Sequence, residues 1–184
     1  NVAIPTISLG GYLQVASPAV SFAGVNFTQP LDGSAASFAG SLTIEADSAS
    51  LFPGKSFTAS ITPLASGQRA ITGNFNLNSG AFALTAGKFD VSSDKFFTAN
   101  ASNIAIAFDP SITTTQTIIS IASLSLTVKP LRDQTVTVSN LAIRNDGFSF
   151  DNLSTTLPNI SLGGYLQVVS PSVGFTGINF TQPL

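Results

Sequence analysis

The chain of 184 residues contains no cysteine, no histidine, no methionine and no tryptophan. Without cysteine there is no disulfide framework, no thiol nucleophile and no thiolate-bound metal site. Without histidine there is no Ser-His-Asp triad, no imidazole general base and no histidine-bound metal. These absences exclude many common catalytic and metal sites, and we predict no cofactor.

Charge is also scarce, since charged residues make up 9% of the chain against about 25% in an average globular protein. Seven basic residues and a net charge of −2 are too few for a groove that follows nucleic-acid phosphates, so we predict no nucleic-acid partner. No apolar run approaches the length of a membrane-spanning helix, so we expect no transmembrane segment.

The chain begins at Asn1 without a signal-peptide pattern, and we interpret it as a piece of a longer protein. The absence of cysteine, the low charge and the many Ser, Thr and Asn residues are typical of secreted surface proteins. We therefore predict an extracellular or cell-surface location.

What is present is a repeat. Residues 5–31 and residues 158–184 align without a gap at an offset of 153, with 21 of 27 positions identical. We predict that residues 1–153 form one complete tandem repeat and that residues 154–184, the copy of residues 1–31, begin the next. The alternative is a single domain whose two ends duplicated in order to pair as neighbouring strands.

The substitutions between the two copies predict a strand. Every second position from 19 to 25 differs between the copies, whereas the interleaved Val20, Phe22 and Gly24 do not. Because successive side chains of a strand point to opposite faces, we predict that the face carrying Val20, Phe22 and Gly24 is packed.

Apolar and polar residues alternate along most of the chain, as expected for half-buried strands. The clearest segments are 38–44, 71–77, 104–108, 124–128 and 141–143. Turn-forming pairs such as Asp32-Gly33 and Asp146-Gly147 separate them. The predicted fold is all-β with negligible helix, an elongated tandem β-repeat built as a β-solenoid or as stacked β-sandwiches.

The duplicated ends carry no charge, because every charged residue lies between Asp32 and Asp151. A free surface would normally carry Lys or Glu to block pairing between strand edges. We therefore predict that the duplicated segment is covered at a junction with adjacent repeats or other copies of the chain; a Thr/Asn/Gln-rich surface that needs no charge is the alternative. The predicted junction residues are Tyr12, Leu13, Val20, Phe22 and Phe27 in the first copy, and Tyr165, Leu166, Val173, Phe175 and Phe180 in the second.

Acidic residues offer the remaining candidate chemistry. Glu45 and Asp47 share a strand face, and Asp90 and Asp94 flank a turn, but scattered carboxylates form such pairs without function, and we predict no catalytic site. The stretches 145–152 and 90–94 are incomplete as calcium loops, so we predict no metal site.

Whether the sequons are glycosylated stays open; they lie at Asn26, Asn100, Asn152, Asn159 and Asn179.

In its Ser/Thr/Asn-rich, cysteine-free repeats, the chain resembles the tandem repeats of giant secreted bacterial adhesins and extracellular surface fibres. The resemblance implies a structural repeat of a filament, sheath or adhesin stalk that assembles head to tail and is not an enzyme. One alternative is a carbohydrate-binding or cell-adhesion module with surface polysaccharide as a partner, which an exposed Tyr12 would favour. A third is a β-helix polysaccharide-active enzyme, which three or more converging carboxylates would favour.

Overall fold

A computed structural model describes residues 2–3, 5–9, 13–51, 57–93, 95–131 and 133–181. This part of the chain is nearly all β, with sixteen strands and, at Lys129–Leu131, a single 3-10 turn. The strands are β1 Val2–Ala3, β2 Ile7–Leu9, β3 Leu13–Ala16, β4 Ala19–Thr28, β5 Ser37–Ala46, β6 Ser48–Leu51, β7 Phe57–Thr62, β8 Ile71–Asn76, β9 Phe82–Ser93, β10 Phe97–Phe108, β11 Thr117–Val128, β12 Gln134–Arg144, β13 Gly147–Thr156, β14 Ile160–Leu162, β15 Leu166–Val168 and β16 Ser172–Thr181. Over the same residues, no helix is long and apolar enough to cross a bilayer.

The prediction of an all-β chain with negligible helix is confirmed. All five alternating segments fall in strands, apart from Leu77 at the end of the second. The Asp32-Gly33 pair lies between β4 and β5, and a tight hairpin at Asn145-Asp146 joins β12 to β13 by pairing Arg144 with Gly147. Local turn chemistry therefore sets the strand ends.

Fourteen strands form one antiparallel sheet whose main path runs β1-β4-β5-β8-β9-β10-β11-β12-β13-β16. A second arm, β2-β3-β6-β7, joins the same long strand β9: β8 pairs with its first part, up to Ala86, and β7 pairs with its second part, from Lys88 onward. The hairpin of β14 and β15 forms a separate two-stranded sheet.

The strands of the two arms continue one another: β3 continues into β4, and β5 continues into β6. β3 and β4 pair with β6 and β5 in one register, with Leu13 opposite Leu51 and Val20 opposite Ile44. The interruption between the halves lies at one level across the whole sheet, and we call it the transverse break. In register order across the sheet, the break passes through Ser17, Asp47, Gly87, Asn103, Ala122, Asn140, Asp151 and Gly177.

At the transverse break the apolar alternation changes phase by one residue. In β10 the apolar positions are Ala99 and Ala101 before the break but Ile104 and Ile106 after it, and Asn103 between them has φ 51°. A single left-handed residue interrupts pairing and redirects the strand, as a β-bulge does. In β9 and β11, the two strands that pair with β10, the apolar alternation changes phase at the same level. Each of these strand pairs therefore has the same register on both sides of the break.

The sheet packs few side chains. The buried hydrophobic residues of the described chain are all alanines, and none of its large side chains is fully buried. Each half nevertheless has one row of mostly apolar residues that runs across paired strands. In the half after the break in β10, the row is Val2, Val20, Ile44, Gly73, Leu84, Ile106, Ile119, Ile143, Phe148 and Phe180.

Candidate functional site: the edge formed by the duplicated segment

The ten predicted junction residues do not form one site, because the two copies of the duplicated segment lie at opposite ends of the main sheet path. Tyr12 lies outside the described residues. Of the rest of the first copy, Leu13 lies in β3, and Val20, Phe22 and Phe27 lie in β4. In the second copy, Tyr165 lies in the turn before β15, Leu166 lies in β15, and Val173, Phe175 and Phe180 lie in β16.

Seven of the ten predicted junction residues are exposed in the single chain, and Val20 is half-buried. Phe22 is 63% exposed and its copy Phe175 is 56% exposed. The face that carries Val20 and Phe22, which the sequence predicts to be packed, is therefore not covered over Phe22 in this chain. Gly24 does not continue that face either: it has φ 61° and lies at a register shift between β4 and β5, which identifies a bulge.

The two copies are held by their neighbours in the same way. Val2 pairs with Val20 on β4, and Thr155 pairs with Val173 on β16. Both residues of the second pair are 153 positions beyond those of the first, so β1 stands beside β4 as the last residues of β13 stand beside β16. The backbone also repeats, since φ is 61° at Gly24 and 64° at Gly177, and 46° at Ser17 and 47° at Ser170.

The two copies differ on their other side. β4 has β5 as a second neighbour, whereas β16 pairs only with β13 among the described strands. The hairpin of β2 and β3 joins the main sheet because β3 pairs with β6. Its copy, the hairpin of β14 and β15, has no such partner within the described chain and stands apart. Among the described residues, β16 has no neighbour equivalent to β5, and β15 has none equivalent to β6.

The strands are staggered between the two copies. Following paired residues across the sheet from Val20 leads to Phe180. The copy of Val20 is Val173, seven residues earlier on the same strand. β16 is eight strands further along the path than β4 and runs in the same direction, so the two copies are related by a shift across the sheet and a shift along the strands.

Arg144 anchors the edge strand, and sequence reasoning missed it. Its Nη2 donates to Asn179 Oδ1 at 2.7 Å and to the Phe180 carbonyl at 3.3 Å, both on β16. Its Nε donates to Asp146 Oδ1 at 3.1 Å. The hydrogen bond from Thr115 and the charge of Arg144 lower the pKa of Asp146 below its ordinary value. The sequence signal for this role was a single basic residue directly before the turn-forming sequence Asn145-Asp146-Gly147.

Close backbone contact also fixes β16. Gly147 has φ 153°, and a Cβ placed on it would lie 2.0 Å from the Phe180 carbonyl oxygen. Only glycine fits there. Above this contact the Phe148 and Phe180 rings stack with centroids 5.5 Å apart. The outermost strand is thus joined to β13 by packing as well as by its ladder.

The acidic candidates have local partners. The Nη1 atom of Arg69 donates a hydrogen bond to Asp47 Oδ1, and its Nε lies 3.6 Å from Glu45 Oε2. The Arg69 hydrogen bond, followed by one from Ser17, lowers the pKa of Asp47. Since these three side chains are 37% to 48% exposed, the cluster contributes little stability.

The other acidic candidates that the structure describes also accept hydrogen bonds from nearby side chains. Asp90 accepts a hydrogen bond from Asn100 Nδ2 at 2.5 Å, and Asp94 lies outside the described residues. In the incomplete calcium loop, Asp151 accepts from Asn140 at 2.6 Å and Asn145 donates to the Thr114 carbonyl. Within the described ranges, no three acidic, histidine or cysteine side chains form a group that could hold a metal ion. These side chains tie neighbouring strands together.

All five sequon asparagines are exposed. Four of them have a side-chain partner: Asn100 donates to Asp90, Asn152 to Ser139, Asn159 accepts from the Ser170 amide, and Asn179 accepts from Arg144. Exposure leaves them accessible, while these contacts give the four a structural role.

A cleft of about 600 Å³ lies beside the turn between β10 and β11. Its apolar wall includes Phe75, Phe82 and Phe108, with the last two ring centroids 6.2 Å apart. Its polar wall includes Asp109 and Gln116. The side-chain amide of Gln116 accepts a hydrogen bond from the Asp109 backbone N–H and donates one to the Asp109 carbonyl. The cleft therefore offers apolar surface with few free polar groups.

Searches against protein-family models, curated proteins and solved structures found no match to the chain.

Proposed function

We propose that the chain is a structural repeat of a long extracellular filament, sheath or adhesin stalk, in which successive repeats continue one antiparallel sheet. One observation carries the proposal: β1 pairs with β4 in the register in which the end of β13 pairs with β16, 153 residues further on. A strand from the end of one repeat therefore fits beside the first long strand of the next. Repeat proteins gain stability from such contacts between neighbours.

The position of the two copies supports the same arrangement. An even number of strand steps separates β4 from β16, so both run in the same direction and a further repeat meets the same geometry. Residues 1–153 would be one repeat, with 154–184 opening the next. The uncharged junction residues then lie between neighbouring strands of a continuous sheet, where charge would be costly and is not needed to guard an edge.

The stagger sets the size of the repeat. Eight strand spacings of about 4.8 Å give about 38 Å across the strands, and seven residues at about 3.3 Å give about 23 Å along them. The translation from one repeat to the next in a flat sheet is then about 45 Å, with the strands about 30° from perpendicular to the filament axis. Twisting of the sheet shortens this distance.

The test is a longer chain in which residues 1–153 occur twice before residues 154–184. Small-angle X-ray scattering compares its maximum dimension with that of the 184-residue chain. A continuous sheet lengthens by about 45 Å or somewhat less, and the two repeats unfold in one cooperative transition. Two separate folded units joined by a flexible connection, with independent unfolding, would contradict the proposal.

A carbohydrate-binding module is the second candidate, because Tyr165 is 99% exposed in the turn before β15. An exposed tyrosine offers a ring face for stacking on sugar rings together with a hydroxyl group for hydrogen bonding. The test is binding to a panel of surface polysaccharides. This candidate requires binding that is retained in Tyr165→Phe and lost in Tyr165→Ser; binding insensitive to both substitutions would remove the reason for it.

A further inference from the structure

One half of the main sheet is apolar on one side only. We call the half that carries the row from Val20 to Phe148 the Ile106 half. Two further rows lie on the same face, because their residues are two positions away along the same strands. The row farther from the transverse break is Phe22, Leu42, Phe75, Phe82 and Phe108. The row nearer to the break is Ala46, Ile71, Ala86, Ile104, Ile121 and Leu141. We call these three rows the apolar face.

No described strand lies over the apolar face, since the strands of the described chain contact chiefly their ladder neighbours. Six large side chains of this face have nearly the same exposure, between 36% and 41%; they are Ile44, Phe75, Phe82, Phe108, Ile143 and Phe148. Adjacent strands cover the sides of these residues, while their outer ends stay in water. The face thus has the composition of a domain core without the second layer that normally covers one.

The charged residues of the Ile106 half lie on the opposite face. Glu45 is in a row with Thr72 and Thr85, and Arg144 donates a hydrogen bond to Ser149 on the same side. Among the described strand residues of this half, Glu45 and Arg144 are the charged ones. The opposite face is therefore the one suited to water, and the uncharged face resembles the centre of a protein interface, where charge is depleted.

The apolar face is large enough for a stable contact. Neighbouring strands are about 4.8 Å apart and same-face residues about 6.6 Å apart, so about twenty positions cover about 640 Å² in projection. Two such faces packed together bury about 1,300 Å² in total, which reaches the range of specific, stable interfaces. An exposed apolar patch of more than a few hundred Å² is rare on a protein that remains monomeric.

We propose that the apolar face of the Ile106 half packs against the same face of a second copy of the chain, so that two sheets form the two layers of a β-sandwich. Packed sheets lie about 10 Å apart, with their strands about 30° from parallel. A two-fold axis joins the same surface of both molecules, so every side chain covered in one is also covered in the other. This inference goes beyond the proposed function, which joins repeats edge to edge within one layer.

A second copy matches the face in area and in its lack of charge. The contact also supplies the core that the single chain lacks, because the buried hydrophobic residues of the described chain are all alanines. Ile106 and Ile119 pair in the middle row, on strands at the centre of the sheet path. In the sandwich their half-exposed side chains become interior.

Sedimentation velocity of the 184-residue chain over a wide range of concentrations tests association, and small-angle X-ray scattering tests its geometry. We expect a dimer that is about 10 Å thicker than the single chain and that keeps nearly the same maximum dimension. A dimer that is longer instead of thicker would mean that edges pair, and would overturn the inference. So would a chain that stays monomeric at every concentration.

Two lysine variants of β10 form a matched pair. Ile106→Lys places a charge on the apolar face, whereas Ala107→Lys places the same charge on the opposite face, at an exposed position one residue further on. A two-fold contact buries the new ammonium group twice, so Ile106→Lys should raise the Kd of the dimer at least about 100-fold. Ala107→Lys should change the Kd by no more than about twofold. Equal effects of the two variants would contradict packing through this face.

Ile119→Thr tests the same face without a charge. Threonine keeps the branched Cβ and the preference for strands, so the sheet should form as before. The loss of apolar burial on both sides of the dimer should raise the Kd about tenfold. An unchanged Kd would overturn the inference even if Ile106→Lys weakens the dimer by disturbing the fold.

Vesicles of phosphatidylcholine test the other occupant of an uncharged apolar face. If the chain is monomeric and binds these vesicles, and Ile106→Lys abolishes binding while Ala107→Lys does not, a lipid surface covers the face and the inference is wrong. Failure of the proposed function is separate. A two-repeat chain that lengthens but stays a single layer keeps the filament and excludes the sandwich, whereas a thick dimer whose two-repeat form does not lengthen does the reverse.

Discussion

Gly87 should be indispensable to the joining of the two arms of the sheet. It lies in β9 where the partner strand changes from β8 to β7. A Cβ on Gly87 would lie 2.5 Å from the Thr62 carbonyl oxygen and 2.6 Å from the Leu64 amide nitrogen, both backbone atoms. Gly87 also donates its amide to the Ala70 carbonyl at 2.9 Å. Gly87→Ala must therefore move the connection between β7 and β8.

The magnitude follows from these contacts. Forcing one extra carbon into a tight contact costs about 1–3 kcal/mol, and the loss of one backbone hydrogen bond adds about 1 kcal/mol. We expect Gly87→Ala to lower the free energy of unfolding by about 3 kcal/mol. At about 3 °C per kcal/mol for a chain of this size, the Tm falls by about 9 °C.

Gly73→Ala is the matched control. A Cβ on Gly73 meets its nearest atoms, the Ala83 carbonyl oxygen and Leu84 Cδ1, at 3.7 Å, which is ordinary contact. Alanine should be neutral there or stabilise the strand by about 0.5 kcal/mol. Urea unfolding of both variants measures the difference. If the two unfold within about 0.5 kcal/mol of each other, the close approach at Gly87 is not what holds the arms.

Three further predictions concern the edge and the turns. Phe148→Ala should lower the free energy of unfolding by about 1–2 kcal/mol in thermal melts, because its half-exposed ring loses the stack on Phe180. The lowered pKa of Asp146, caused first by Thr115 and then by Arg144, contributes stability above the ordinary carboxyl pKa that is lost as pH falls through the lowered value. Asp146→Asn should therefore remove part of the stability difference between pH 6 and pH 2 in urea titrations; an unchanged difference would exclude this carboxylate as a contributor. Amides of β10 and β11 should exchange with deuterium far more slowly than those of β14 and β15, since the latter form an isolated pair of strands.

The strands were predictable because alternation is local. Leu124–Val128 and Ile104–Phe108 carry a period of two that needs no knowledge of the partner strand, and both lie within long strands. The turn at Asp32-Gly33 was predictable for the same reason, because its residues favour tight turns wherever they occur. The turn predicted at Asp146-Gly147 lies one residue earlier, at Asn145-Asp146, and Gly147 begins β13.

Pairing and register were not predictable. Alternating strands match one another in many registers, and only the turns and the packed faces choose among them. The phase change at Asn103 can be read in the sequence, but it does not distinguish a bulge inside one strand from the start of another. Its alignment with Asn140 and Gly177 at one level of the sheet became visible only from the register.

The candidate edge was partly predictable. The repeat and its lack of charge located the segment, and the alternating substitutions identified a strand, but the expectation that Val20 and Phe22 lie on a packed face assumed a second layer. Alternation shows that a strand has an apolar face and does not show what covers it. Phe22 is largely exposed in the single chain, and Arg144, which fixes the neighbouring strand, gave too weak a signal.

The composition of the duplicated segment is that of an interior strand, and this bears on its second copy. β4 has a neighbour on each side, so its backbone groups are used and it needs no charge to prevent pairing. β16 has nearly the same sequence and the same left-handed glycine, and it pairs with one neighbour within the described chain. In the proposed filament, a strand of the next repeat equivalent to β5 would lie on its other side and use the remaining backbone groups of β16. The side chains that β4 presents to β5 at Val20, Phe22 and Phe27 are identical at Val173, Phe175 and Phe180, so the proposed continuation of the sheet requires no new kind of side-chain contact.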